Sequence, residues 1–319
     1  MTVPAWSRDT NSMAETILGV ADQPERPRQT VQRPLRGVVL VVLALMSFSC
    51  SDCCAKYLSA SLPSVEIAWL RYAAFTLLAI VAVVSSGQAP VTARPFLACF
   101  RGLAMFGSAI FFIMALGRMP IADATATSFS SPLIITLLAI LVLGEKIPPW
   151  RWAMLGLGVI GMLLIVRPGT SAFNPAAIFA LLCAFSWATG AVITRKMHDA
   201  ELPLTLLFYT AIAGFTVSSV LLPFVWQSPT AAQWAIGTTM GGCTTLAHWL
   251  IIQAHRHAGA SVLAPFSYTQ LLWSTLFGIA LFGTVPGTTT LVGAGIIIAT
   301  GLYGYFREHR ADRYGRRAL

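Results

Sequence analysis

LPLTLLFYTAIAGFTVSSVLLPFVWQSPTAAQWAIGTTMGGCTTLAHWLIIQAH, residues 202–255, carries no Asp, Glu, Lys or Arg. A helix needs about 20 mostly apolar residues to cross the hydrocarbon core of a bilayer, so this run holds two spans, separated at Ser228-Pro229. The next charge-free interval, between Arg256 and Arg307, holds two more. Lipid offers backbone N–H and C=O groups no water to bond, so a spanning segment must be a helix or part of a closed barrel. Barrel strands alternate apolar and polar residues, and these runs do not. They are helices.

The rest of the 319-residue chain agrees. It is 56% hydrophobic and 10% charged, against about 25% charged in a soluble domain, so it cannot clothe a water-facing surface in the usual way. Apolar length and turn signals place ten transmembrane helices at roughly 37–57, 64–85, 95–116, 122–143, 150–167, 174–195, 203–225, 232–254, 260–282 and 288–306. The breaks carry Leu62-Pro63, Met119-Pro120, Pro148-Pro149, Arg167-Pro168-Gly169, Leu202-Pro203 and Pro286-Gly287. Residues 1–35, rich in Pro and Arg, read as a disordered cytoplasmic tail. Residues 308–319 read as a basic cytoplasmic tail.

Charge sets the orientation. Sixteen of the 21 Lys and Arg fall in the tails and in alternate loops, while the opposite loops hold only Lys56, Arg118 and Arg167. Basic residues stay on the cytoplasmic side, so both termini should face the cytoplasm of a multi-pass inner-membrane protein. The net charge of +9 is then a topology signal and not a nucleic-acid footprint. The six cysteines lie in apolar runs. Cys50 and Cys54 are one turn apart, but no His or carboxylate pair completes a ligand set, so they read as small hydrophobes with no metal.

A shift of 139 residues superposes the two halves without a gap: Ser47 on Ser186, Ser128 on Ser267, Thr136-Leu137 on Thr275-Leu276, Gly144 on Gly283 and Gly156 on Gly295. The repeats run from 36 to 168 and from 175 to 307. Five helices is an odd number, so the second repeat enters the membrane from the opposite side. Inverted repeats are a transporter architecture, with the substrate site near the midplane between them. The fold expected is an all-α membrane protein of ten transmembrane helices in two inverted five-helix repeats.

FFIMALGRMPIADATATSFSSPLIITLLAILVLGEKI (111–147), LRYAAF (70–75) and the doubled layout resemble the EamA branch of the drug/metabolite transporter superfamily, over about residues 36–307. The second half departs from the pattern: Thr284 follows Gly283 where Glu145 follows Gly144, and Leu271 stands at the position of Pro132. The resemblance implies a central cavity lined by the first four helices of each half. It also implies cargo such as amino acids, metallophores, riboflavin or S-adenosylmethionine, with the PIADATATSF region nearest the importers.

No G-x-x-x-x-G-K-[ST], H-E-x-x-H or G-x-S-x-G motif occurs, so ATP coupling and enzymatic chemistry have no support and no cofactor is called for. The function expected is secondary active transport of a small metabolite, amino-acid-like, zwitterionic or anionic, or planar. The alternatives are a membrane receptor or a channel. Expected partners are the solute, the lipid bilayer and a coupling proton or cation, with the protein a monomer or homodimer.

Charges within spans are costly and so are functional candidates. Arg71 and Arg101 present planar forks suited to a carboxylate or phosphate; the competing reading has them locking helices through backbone carbonyls. Asp52 sits one turn before Lys56, which suggests an internal salt bridge, or else a proton or cation site that couples transport. Asp123, in the first turn after Pro120, reads as a helix cap. His248 is a second coupling candidate, set against a neutral core histidine. Phe48, Trp69, Trp187, Tyr209 and Tyr268 lie at mid-depth and are candidates for gripping a planar or apolar solute. Phe48 and Trp187 are equivalent under the shift, so they are expected to face each other. Pro132 and Pro265 interrupt the fourth and ninth helices, which correspond between halves, and are hinge candidates or plain kinks.

Overall fold

The computed structural model describes residues 34–87, 89–143, 149–170, 173–197, 202–258 and 260–315. Positions 1–33 of the expected tail and the Gly144-Glu145 pair lie outside the described residues. Regular structure among the described residues is helical throughout. In chain order the helices are α1 (Pro34–Leu58), α2 (Ser64–Ser86), α3 (Pro95–Leu116), α4 (Ile121–Ser128), α5 (Ser131–Leu143) and α6 (Pro149–Val166). The second half contributes α7 (Ala177–Met197), α8 (Pro203–Leu221), α9 (Ala231–His257), the short α10 (Ala260–Leu263), α11 (Thr269–Phe282) and α12 (Thr288–Gly315). Because α12 runs to Gly315, much of the segment expected as a basic tail continues the last helix.

Among the described residues, six segments are long and apolar enough to cross a membrane: Leu35–Leu58, Ser64–Ser86, Pro95–Leu116, Ile121–Val142, Ala177–Met197 and Leu204–Phe224. Trp152–Val166 and Thr288–Gly304 are shorter apolar helices. Local chemistry sets the boundaries. Pro95 opens α3 at a position where a missing N–H costs nothing. Thr230 and Gln233 form a reciprocal capping box at the start of α9. Gly87 and Gly283 close α2 and α11 at φ 65° and 62°, where a Cβ would clash with the backbone.

Both proline-bearing spans break. α4 stops at Ser128 and α5 starts at Ser131, with the Ser130 carbonyl accepting from Leu133 and Ile134 at 3.0 and 3.3 Å. Around Pro265 the chain passes from α10 through a 3-10 segment (Ala264–Tyr268) into α11. The ring supplies no N–H and crowds the preceding turn, which explains the interruption in each half.

The most extensive helix packing is between halves. α1 packs along α9 and α11; its equivalent α7 packs along α3 and the α4–α5 pair. α2 meets α9 as α8 meets α3. α2 lies against α8, and α6 against α12. Exchanging the two halves maps each of these contacts onto another or, for α2–α8 and α6–α12, onto itself, which is what a pseudo-twofold relation between repeats requires. Serines on α1 fasten the crossings: Ser51 bonds Thr244 at 2.7 Å and the Met240 carbonyl at 3.0 Å, Ser47 the Cys243 carbonyl at 2.9 Å, and Ser49 Ser274 at 3.3 Å. Short polar side chains of this kind let apolar helices approach closely while satisfying their own bonding.

Candidate functional site

Residues at i and i+4 of a helix stack on one face. On α1 these are Phe48 and Asp52, and on α2 Arg71 and Phe75. The two faces meet and form a ladder of two rungs. In one, Arg71 Nη2 donates to Asp52 Oδ1 at 3.2 Å, both side chains being about nine-tenths buried (10% and 8% exposed). In the other, the His248 ring of α9 lies between Phe75, centroids 4.6 Å apart, and Phe48, edge-on at 5.0 Å. His248 Nδ1 donates to the Thr244 carbonyl at 2.8 Å, so the proton is on Nδ1.

This overturns the expected Asp52–Lys56 bridge. Lys56 Nζ instead donates to the carbonyls of Leu116 and Met119, each at 2.9 Å, where α3 ends, and lies 5.6 Å from the Phe282 ring centroid. A cation at a helix C-terminus satisfies orphan carbonyls and meets the negative end of the dipole. Asp52 is one turn away along α1 but faces inward to α2, and Arg71 has the matching inward position. The acid nearest Arg71 in sequence, Glu66, is not its partner: Glu66 is fully buried and accepts from the Gln227 backbone N–H at 3.1 Å.

Arg101 takes the anchoring arrangement. From α3 it reaches Thr194 Oγ1 of α7 at 2.6 Å, and the Leu206 carbonyl (3.0 Å) and Thr210 Oγ1 of α8. Three helices are tied by one guanidinium, which uses much of its donor capacity.

Phe48 and Trp187 keep their equivalence but not their expected contact. The surface-facing residues of α1, Val39 and Leu43, map under the shift onto Ile178 and Leu182 of α7, which are also exposed. At about 100° per residue, Phe48 and Trp187 each lie nine residues, half a turn, from the start of those stripes, so both point into the bundle. Phe48 is covered by His248, and no ring contact joins it to Trp187 among the described residues. Trp187 remains 50% exposed on an inward face, so it borders open space within the bundle.

The other aromatic candidates are not gathered there. Trp69, two residues before Arg71, points the other way: its Nε1 donates to Ser219 at 3.0 Å and its ring packs with Phe215, Trp226 and Trp234. Tyr209 packs against a cluster of Ala98, Ile193, Met197 and Leu206. Tyr268 lies 5.5 Å from the Phe129 ring and presses its hydroxyl on Gly301 of α12 so closely that a side chain there would collide. Asp123 lies in the first turn of α4 but makes no capping bond. Sequence reasoning missed the Ser47/Ser49/Ser51 rail. Its signal was three serines at every second position of an otherwise apolar helix.

Chemically, the ladder offers a carboxylate and a guanidinium that neutralise each other in an apolar core, an imidazole one turn away, and an uncovered indole across the bundle. Charge that leaves the pair must be replaced from a solute or an ion. Residues 35–167 and 174–305 each match the family described as EamA-like transporter family. The S-adenosylmethionine uptake transporter of Rickettsia conorii is 32% identical over 278 residues, 87% of this chain and 95% of that protein. The riboflavin transporter of Vibrio cholerae is 29% identical over 273 residues, 83% of this chain and 91% of that one. The pseudopaline exporter CntI of Pseudomonas aeruginosa is 28% identical over 267 residues, 82% and 93%. A solved crystal structure superposes with a TM-score of 0.60 over 86% of this chain and 98% of that one, at 19% identity, a likeness of fold.

Proposed function

Since the chain belongs to the EamA-like transporter family, and so to multi-pass membrane transporters of small metabolites and not to enzymes, we propose that it is a secondary active transporter whose cargo is S-adenosylmethionine or a similar nucleoside-bearing amino acid. The reading takes the protein as ten spans in two inverted repeats, in the inner membrane with both termini cytoplasmic, as the distribution of Lys and Arg supports. The observation that carries the site is Trp187, half exposed on an inward helix face. An indole free on one side is a stacking platform for a planar base. The cargo named for the Rickettsia relative has such a base, joined to a sulfonium and an amino-acid head.

Asp52 and Arg71 supply the coupling. When the carboxylate takes up a proton or accompanying cation, the guanidinium loses its counter-charge and is free to take an anionic group of the solute. Release of the ion restores the pair. Pro132 and Pro265 mark the flexible joints about which the two broken spans move. The test is uptake of labelled S-adenosylmethionine into proteoliposomes. Saturable flux is expected, and Trp187→Ala should raise KM roughly tenfold, the order of one base–aromatic stack, with folded yield unchanged. Absence of saturable flux by the wild-type protein rejects the cargo. A variant with unchanged KM rejects the stacking role.

A further inference from the structure

At the end of the bundle where α1 terminates, the first turns of α4, α7 and α12 and the last turn of α6 border a partly open cavity of about 170 Å3. Its wall includes Met119, Asp123, Arg167, Asn174 and Thr290. That is room for roughly five or six waters at their liquid volume of ~30 Å3 each, or one small amino acid. None of these residues belongs to the Asp52–Arg71 ladder.

Two observations there are unexplained by packing. Asp123 Oδ1 and Arg167 Nε are buried and have no hydrogen-bond partner, as does Oγ1 of Thr289, beside Thr290. The two opposite charges nevertheless do not pair, since Asp52–Arg71 is the only ion pair within 4 Å among the described residues. Arg167 is also held at φ 51°, the only non-glycine among the described residues in the left-handed region. That conformation closes α6, with the Arg167 N–H donating to the Leu163 carbonyl at 2.8 Å, and it fixes where the side chain leaves the helix end. Buried polar atoms are almost always satisfied, so one carboxylate oxygen and one guanidinium nitrogen left without partners, on two residues that line the same pocket, point to a ligand carrying both charges.

We propose that this cavity is a second binding site, which takes the amino–carboxylate head of a zwitterionic solute, the ammonium on Asp123 and the carboxylate on Arg167. The converging N-termini of α4, α7 and α12 add positive potential, which favours the carboxylate and keeps an isolated cation out. Asn174 is already committed: its Nδ2 donates to the Arg118 carbonyl at 3.0 Å and its Oδ1 accepts from the Ala176 N–H at 2.9 Å. It holds the wall and does not compete for the ligand. The inference deepens the proposed cargo by giving its amino-acid end a place outside the central site, on the side that the charge distribution makes extracytoplasmic.

The probe is L-alanine, with propionate and ethylamine as the same skeleton lacking one charge each, measured by saturation-transfer NMR on the full chain in nanodiscs. Alanine should bind, and each single-charge analogue should bind at least roughly tenfold more weakly. Asp123→Asn and Arg167→Gln should each weaken alanine by roughly tenfold or more, while Trp187→Ala leaves it unchanged. Asp123→Asn is isosteric and decides the matter alone if Arg167→Gln does not fold. Equal binding of the three probes, no alanine signal from the wild-type protein, or alanine binding unaltered by Asp123→Asn overturns the proposal. Because alanine binding requires no transport, failure of S-adenosylmethionine flux would reject the cargo and leave this result standing by itself.

Discussion

Replacing Asp52 with Asn preserves shape and removes the only charge that compensates Arg71. The pair is joined by one contact of 3.2 Å between side chains 10% and 8% exposed, so little solvent remains to screen the charge left behind. Breaking a buried pair from one side costs about 3–5 kcal/mol, far more than the net worth of the intact pair. Asp52→Asn should fall in the lower part of that range, because the amide oxygen still accepts one bond from the guanidinium. Arg71→Met should cost less still, since a lone buried carboxyl can shed its charge by binding a proton, whereas arginine stays charged. The double variant Asp52→Asn/Arg71→Met, with no charge to strand, should recover most of the loss. The assay is the apparent unfolding temperature in detergent at one fixed scan rate, since unfolding of such a chain is irreversible. A double variant no more stable than Asp52→Asn would refute the coupling between the two residues. Flux then separates stability from function: the folded double variant should not transport, and if it transports at the wild-type rate the pair serves packing alone.

Two further outcomes test the frame that holds the site. A Cβ on Gly161 of α6 would lie 2.8 Å from the Gly293 carbonyl oxygen of α12, so Gly161→Val should cost about 1–3 kcal/mol of overpacking and lower the unfolding temperature, with a backbone atom unable to yield as a side chain would. In a cysteine-free background, Ser228→Cys should react with an impermeant thiol reagent in intact cells and Arg256→Cys only after permeabilisation; the reverse pattern would mean that the orientation, and with it the extracytoplasmic placing of the Asp123–Arg167 cavity, is wrong.

The sequence by itself determined the helical class, most helix limits to within a few residues (the last helix runs on to Gly315), and the doubling of the chain. Each of those is written in local quantities: apolar length, the absence of charge over 202–255, proline and glycine punctuation, and a constant 139-residue offset. Even the breaks at Pro132 and Pro265 were legible, because a missing N–H disrupts its own helix whatever surrounds it. Only the tertiary structure decided the partners. Asp52 has Lys56 one turn away on its own helix and Arg71 on another, and nothing in the spacing tells which one it meets. The choice follows from α1 and α2 both packing on α9, which brings Asp52 and Arg71 within reach, while the end of α3 offers Lys56 two backbone carbonyls. Phe48 and Trp187 are equals in sequence, yet His248 covers one and leaves the other half open. Asp123 and Arg167, which read locally as a helix cap and a loop residue, share a cavity because four helix ends from both repeats converge there. Hydropathy is a property of each segment alone, whereas the partner of a buried charge is set by how helices distant in sequence are packed together.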